Sequence, residues 1–541
     1  MKFALMVWHA ADGRRLYILL TLAVIMISTV GILVIISEIV TISETGTPGL
    51  LTLVLFVGAA VGLIGGHSFG QRTAAAIVES QLDQIRRQLA SRVRQVEYNQ
   101  FEDIGSTRIY DVLTRNSAIV SEASMLVFGC FAAIGSLVFG GLYTLILSPL
   151  VFFTMLAVML AGMFFFRMVQ RGIRLAMVRT GAAETGFLSL FAHLLHGFKE
   201  VRLHRPRGDS LERDRLVPAS LEMRDIRVEG VRRINGSIIV SLSLFYVNVT
   251  VIAFLLPPFL DDLTVVAKAI YVALFLLSAV DLVARALPLL QRAGMALDEL
   301  DKVQDALAAH GVAGDDDAPP PDFARIDLER ISFNYRDPDG TPVFSIGPLS
   351  LSIARGETLF IVGGNGSGKS TFLKVLTRLY VPDNGTISVD GRVLEPAAAP
   401  SYRALFSAVF ADFHLFDRLY GLEDRTPEQV NGLLDELGIG NKLRSADGRF
   451  STTDLSTGQR KRIAFAVALL EERPILVLDE VAADQDPEFR DQFYRQWLPR
   501  LKREGRTLVV VSHDDRYEDV ADRVVRFRDG GIAAITDRAE P

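Results

Sequence analysis

The chain has 541 residues, too many for one hydrophobic core, so at least two domains are expected. Half of the residues are hydrophobic, the mean hydropathy is +0.29 and the formal net charge is −6. This balance argues against a purely soluble chain and against nucleic acid as a partner. The one cysteine, Cys130, lies in an apolar run. It excludes an internal disulfide, and a small buried core residue is its expected role.

The apolar excess lies before about residue 290. Six segments, near 16–42, 49–70, 124–146, 150–166, 236–260 and 264–290, approach the roughly 20 residues a helix needs to cross a bilayer. The first is too long for a signal peptide and no small-residue cleavage site follows it. The connections 43–48, 147–149 and 257–263 lack Lys and Arg. The connections 71–120 and 167–235 are rich in arginine, including Arg86, Arg87, Arg92, Arg94, Arg171, Arg174, Arg232 and Arg233. Lys2, Arg14 and Arg15 precede the first span. The positive-inside rule then puts both termini in the cytoplasm.

The two basic connections keep helical periodicity, as over 75–96, with little Pro or Gly punctuation. They read as membrane helices prolonged into the cytoplasm, about 30 Å for every twenty residues. Short connecting helices are expected over 103–112 and 191–201. Within the spans, Asp281 and Arg285 stand four apart and can pair on one helix face. Glu38, Tyr246, Asn248 and Lys268 are further polar residues there, of which Glu38 and Lys268 lie near the outer interface.

Residues 310–322 (HGVAGDDDAPPPD) form an acidic, proline-rich break. The expected division is therefore 1–310 for a membrane domain, 311–322 for a linker and 323–541 for a cytoplasmic α/β domain. In the latter, 325–335 and 348–353 alternate as strands do.

Residues 363–371 carry the spacing G-x-x-x-x-G-K-[ST]: Gly363, Gly364, Asn365, Gly366, Ser367, Gly368, Lys369, Ser370 and Thr371. Glycines let backbone N–H groups close around phosphate oxygens, Lys369 meets the β- and γ-phosphates, and Ser370 offers a hydroxyl to Mg2+. The apolar run 358–362 before it reads as a buried strand and 371–379 after it as a helix. A second apolar strand, 475–478, ends in Asp479 and Glu480. Such a pair opposite a phosphate loop suits Mg2+, held by Asp479, and an attacking water, oriented by Glu480. A third strand, 507–511, is followed by Ser512 and His513, and a histidine there can reach a γ-phosphate.

Residues 455–459 (LSTGQ) resemble the LSGGQ signature of ATP-binding cassette (ABC) proteins, some twenty residues ahead of the acidic strand. With six spans and two long cytoplasmic connections before one nucleotide domain, the whole chain resembles an ABC exporter half-transporter. The resemblance implies a six-helix exporter-type transmembrane domain followed by an α/β P-loop nucleotide-binding domain. It matches Tyr335 to the aromatic that stacks on adenine, Asp486 to the end of the D-loop and His513 to the switch histidine. It implies that two copies pair head to tail. Each ATP would then lie between one chain's phosphate loop and Ser456, Thr457, Gly458 and Gln459 of the other.

Two departures stand out. Thr457 replaces the first glycine of the signature and should be tolerated. Over 406–416 (FSAVFADFHLF), Ala411 stands where the family has a glutamine that senses Mg2+ and the membrane domain. Asp412, as a further Mg2+ contact, or His414 is the available substitute; otherwise the coupling contact differs. The phrases FSAVFADFHLFD, GGNGSGKST, LDEVAADQDPEFR and GFKEVRLHR resemble bacterial exporters of cyclic peptides, lipopeptides and peptide siderophores. No peptidase domain precedes the first span here, so leader cleavage is not expected. The implied activity is ATP-driven export of a peptide-like cargo from the bacterial inner membrane by a homodimer. A lipid or multidrug exporter is the alternative, and a membrane-tethered ATPase regulator a third.

Overall fold

The apolar runs form helices that outlast them. The computed structural model describes residues 2–11, 13, 15–42, 49–260, 262, 264–308, 320–337 and 339–538. Arg14, the connection 43–48, positions 261 and 263 and the linker residues 311–319 lie outside these, as do the side chains of Arg171 and Arg174. The chain forms two units, Met1–Gln88 with Thr107–Val303, and Leu89–Ser106 with Gln304–Pro541.

The first unit is helical. Four helices, Arg15–Ile39, Leu50–Gln95, Ser106–Leu147 and Thr264–Ala308, are long and apolar enough to cross a membrane. Two more, Pro149–His196 and Val217–Thr250, carry shorter described apolar stretches, Pro149–Gly162 and Leu242–Leu255. Leu50–Gln95, Pro149–His196 and Thr264–Ala308 run 46, 48 and 45 residues, about 70 Å each. Pro149–His196 packs along Val217–Thr250, and Arg15–Ile42 along Ser117–Leu147. Small residues allow the close approaches: a Cβ on Gly70 would fall 1.9 Å from the Phe128 ring, and one on Gly140 would fall 2.6 Å from Leu276. Asp281 and Arg285 do pair, at 2.8 Å.

Both short connecting helices lie elsewhere than the periodicity placed them. The first is Tyr98–Ile104, not 103–112: Glu97 is extended, and Gly105, at φ +82°, ends the helix. The second begins only after Gly197 and spans Phe198–Leu203. Apolar periodicity runs through both breaks, and the glycines were the overlooked stops. The helix Tyr98–Ile104 belongs to the second unit, although it falls within 1–310.

The second unit is α/β. Its strands are β1 (Arg325–Arg336), β2 (Pro342–Ala354), β3 (Thr358–Gly363), β4 (Asn384–Val389), β5 (Arg392–Val393), β6 (Phe406–Val409), β7 (Ser445–Ala446), β8 (Arg449–Phe450), β9 (Ile475–Asp479), β10 (Thr507–Val511), β11 (Arg523–Arg528) and β12 (Gly531–Asp537). An antiparallel sheet has the order β2-β1-β4-β5, and a six-stranded sheet the order β12-β11-β3-β10-β9-β6. In the larger sheet β11, β3, β10, β9 and β6 are parallel, with β12 antiparallel at the edge.

Period-2 alternation sends these strands into two cores. Leu359, Ile361, Val477 and Val509 face one, together with β1 and β2; Phe360, Val362, Leu478 and Val510 face the other, with the helix Thr457–Leu470. Phe360 is fully buried. Phe360→Ala should cost about 3–5 kcal/mol, read as a fall of several degrees in the second unit's melting transition in detergent. An unchanged transition would contradict this assignment of faces.

Candidate functional site

Register in the larger sheet brings the chemistry to one edge. Val511 of β10 pairs with Ile361 of β3 on one side and with Asp479 of β9 on the other. The three strands therefore end at one level, and the loops leaving them carry Lys369, Asp479–Glu480 and His513. Strand ends of a parallel sheet are the usual place for a ligand crevice.

The phosphate loop needs its glycines. Gly363, Gly366 and Gly368 have φ of +153°, +75° and +97°. A Cβ on Gly363 would also lie 2.5 Å from the Phe527 carbonyl oxygen. The helix Lys369–Leu376 starts at the end of this loop, so its first N–H groups and its dipole face the loop. Lys369 is buried and donates to the carbonyls of Gly363 and Gly364, both at 3.0 Å. Burial holds its ammonium below the ordinary range, against the pull of Glu480 and Asp479. Gly363–Ser367, Ser512 and His513 line a cleft of about 390 Å3, together with Arg526–Asp529. Asn365 and Gly364 lie in this lining, and Thr371 is buried behind it.

Asp479 is 1% exposed, and burial pushes its carboxyl up. Its Oδ2 accepts from the Ser370 hydroxyl at 3.0 Å and from the Ala411 N–H at 3.4 Å, while Oδ1 has no protein partner. A buried hydroxyl and carboxylate with one carboxylate oxygen left over fit Mg2+, which takes oxygen ligands and keeps several waters. Ser367 Oγ is a second buried oxygen without a partner, inside the loop itself. Asp412 is not gathered into this pair: it is exposed, and its charge acts on Tyr98 and Lys374. Among the described residues no three or more Asp, Glu, His or Cys are grouped so that they could hold a metal ion by themselves. The Ala411 main chain, rather than the Asp412 side chain, is what reaches Asp479.

Glu480 stands at φ +54°, a left-handed conformation that a non-glycine residue adopts only when its surroundings impose it. Two contacts hold it. Its N–H donates to the Val511 carbonyl at 3.3 Å, and its carbonyl accepts from Lys461 Nζ at 2.9 Å. The result aims Glu480 Oε1 at His513 Nε2, 2.6 Å away. Lys461 was missed in the sequence. It is 4% exposed and also pairs with Asp484 at 2.7 Å. A lone lysine among Arg460 and Arg462 gives no signal that it turns inward.

Ser456, Gly458 and Gln459, but not Thr457, line a second cleft, of about 310 Å3, with Gly438, Lys442, Arg462 and Asp484–Asp486. Ser456 caps the helix Thr457–Leu470, and Gln459 returns its side chain to the Ser456 N–H, a reciprocal capping box. Gly458 is pressed against the D-loop: a Cβ there would fall 2.7 Å from the Asp484 carbonyl, and Gln485 donates to the Gly458 carbonyl at 2.9 Å. Thr457 is exposed. Asp486 caps the helix Pro487–Gln492 and pairs with Arg462; the Phe489 N–H, then Arg462, hold its carboxyl low. Tyr335 stands on β1, its ring edge-on to Phe333 and Tyr380. The two clefts share no lining residue. Thr457→Gly should leave the ATPase rate within about two-fold, while Gly458→Ala should lower it at least about ten-fold by forcing the signature off Asp484. Equal effects would refute this division of the loop.

Comparison with known proteins bears on the whole chain. The sequence profile described as ABC transporter matches residues 346–483. The chain is 30% identical to the ATP-binding protein SyrD of Pseudomonas syringae pv. syringae over 458 residues, 80% of this chain and 78% of that protein. It is 34% identical to the ATP-dependent lipid A-core flippase of Hahella chejuensis over 233 residues, 40% of this chain and 38% of that protein. A bacterial Atm1-family ABC exporter solved with ATP bound superposes with a TM-score of 0.80 at 17% identity, over 97% of this chain and 95% of that one. That likeness gives the fold of both units, an exporter fold with a helical N-terminal part and a C-terminal cassette. The chain belongs to the ABC transporter family, as an ATPase that couples ATP hydrolysis to transport.

Proposed function

We propose that the chain is one half of a homodimeric exporter that moves a cyclic peptide, lipopeptide or peptide siderophore across the bacterial inner membrane. The cargo class rests on the resemblance of the phrases in 197–205 and 406–417 to exporters of such peptides, and the reach of the SyrD alignment supports an exporter reading of the whole chain. The 458 residues of that alignment exceed either half of the chain, so it runs through membrane and cytoplasmic parts alike, whereas 233 residues of the flippase alignment would fit within one cassette. In this reading both termini and the nucleotide domain, 323–541, are cytoplasmic, and 1–310 is the membrane domain.

The separateness of the two clefts supports pairing. A site joining Lys369 and Ser370 of one chain to Ser456 and Gly458 of another needs a second copy, and a two-fold arrangement supplies two such sites. Tyr335 stacks on adenine. Gly363–Thr371 wrap the phosphates, and Lys369 leaves its own loop carbonyls for phosphate oxygens. Ser370 and Asp479 hold Mg2+, which neutralises phosphate charge when bound. Glu480 orients the attacking water and takes up its proton, and His513 fixes the Glu480 carboxylate and reaches the γ-phosphate. ATP closes the dimer and hydrolysis reopens it, so that cargo meets two membrane states with different affinities.

In reconstituted vesicles, Lys369→Ala and Glu480→Gln should each reduce ATP hydrolysis at least about a hundred-fold and abolish ATP-driven uptake into inverted vesicles. Glu480→Gln should still retain bound ATP, whereas Lys369→Ala should not. Normal transport in both variants would overturn the mechanism. For cargo, ATPase stimulation by cyclic peptides, lipopeptides and apo-siderophores is compared with stimulation by lipid A and phospholipids. A response to lipids alone would replace the peptide reading.

A further inference from the structure

The helix Tyr98–Ile104 is anchored on the cytoplasmic unit by charge and aromatic contacts. Glu97 pairs with Arg403 at 3.2 Å. Tyr98 lies against the Tyr380 ring, 5.7 Å between centroids, and beneath the Lys374 ammonium at 5.0 Å. Glu102 is the centre. One carboxylate oxygen accepts from the Tyr380 hydroxyl, and the other meets Lys374 Nζ at 3.5 Å.

The partners of Glu102 connect to Tyr335 and to the helix that follows the phosphate loop. The Tyr380 hydroxyl in turn accepts from the Tyr335 hydroxyl at 3.0 Å, so Tyr335, Tyr380 and Glu102 form one chain of donors ending in a carboxylate. The Tyr380 ring is locked flat against Phe333, 4.6 Å apart at 8°. Burial and the bonds to Glu102 and Tyr335 push the Tyr380 phenol up, so it stays a donor. Lys374 stands on the helix Lys369–Leu376, whose first residues belong to the phosphate loop. At Ala411, meanwhile, it is a backbone N–H that faces Asp479.

Resting on the ATP site described above, we propose that Glu102 reports nucleotide occupancy to the helix Tyr98–Ile104, through Tyr380 to the Tyr335 ring and through Lys374 to the phosphate-loop helix. Adenine on Tyr335 fixes the far end of the hydrogen-bond chain, and phosphate on the loop fixes the base of Lys374. Both arms then hold Glu102 in one place. By linkage, a helix displaced from this seat weakens ATP by the same factor that ATP strengthens the seat. Glu102 and Tyr380 are positioning residues that touch no phosphate. The side chain absent at Ala411 is thereby replaced by a route that starts from the adenine.

The experiment uses the full chain in vesicles of phosphatidylethanolamine and phosphatidylglycerol. Tyr380→Phe keeps the ring on Phe333 and removes only the hydroxyl, and Glu102→Gln removes the charge. Each should raise the KM for ATP about three- to ten-fold with kcat within about two-fold, and the double variant should be no worse than the poorer single. Amide hydrogen exchange over 98–104 should slow on adding AMP-PNP with Mg2+ in the wild type and not in Tyr380→Phe. A wild-type KM with AMP-PNP protection retained in Tyr380→Phe, or two effects that multiply, would overturn the relay. Lys369→Ala separates the two readings: loss of hydrolysis there, with wild-type kinetics in Tyr380→Phe, refutes the relay and leaves the ATP site standing.

Discussion

One buried carboxylate sets the terms for the nucleotide-binding unit. Asp479 ends a strand whose five residues are all buried, beside the phosphate loop. An ion placed there without compensation costs several kcal/mol, even after relaxation. The Ser370 hydroxyl and the Ala411 N–H each satisfy one lone pair, and Lys369 adds a nearby positive charge. Oδ1 still has no protein donor. Ser370 and Lys369 come from the end of the phosphate loop and Ala411 from the turn after β6, so these two stretches and the strand β9 must meet for the carboxylate to be tolerated. The remaining deficit favours a cation, and a cation beside a phosphate loop brings triphosphate with it. The residues that make the fold affordable there are therefore the same ones that hold the ligand.

Strain sits beside this carboxylate. Glu480 is held left-handed by the Val511 carbonyl on one side and the Lys461 ammonium on the other. A left-handed non-glycine residue costs of the order of 1–3 kcal/mol, comparable with one hydrogen bond to a charged group. Lys461 and the Val511 carbonyl together fix the Glu480 backbone from which the carboxylate meets His513 at 2.6 Å. Lys461 belongs to the helix capped by Ser456, so the geometry of the water-activating residue is tied to the helix that carries the signature. Those two functions serve different ATP molecules in the proposed dimer.

Legibility in the sequence followed contact range. The phosphate loop, the acidic pair and His513 were readable because strand, turn and residue type follow one another within a few positions. The sheet register then brought them together as parallel strands require. The long membrane helices were readable from apolar runs and helical periodicity. Lys461 was not, because its inward turn depends on a carbonyl nineteen residues away. The bond from Tyr380 to Glu102 spans 278 positions and leaves no local pattern. The short helix was misplaced because periodicity continues through Gly105, and only the left-handed φ there marks the stop. Asp412 was selected by its charge and its place beside Ala411, but the approach to Asp479 is made by main chain, which sequence does not distinguish.

The anchoring of Tyr98–Ile104 limits how the two units can communicate. Its contacts are of three kinds: an ion pair at Glu97–Arg403, aromatic packing at Tyr98, and the paired bonds at Glu102. Glu97 and Arg403 stand apart from both clefts. Tyr98 packs on the same Tyr380 and Lys374 that Glu102 meets, but Glu102 holds both by directional polar contacts. A segment held by several contacts of which one senses ligand keeps its seat through the cycle and changes only in how tightly it is held. Coupling of this kind needs no large displacement at the nucleotide, because the differential binding energy is concentrated in two bonds to one carboxylate. In the proposed relay ATP affinity is therefore also a reading of the helix position.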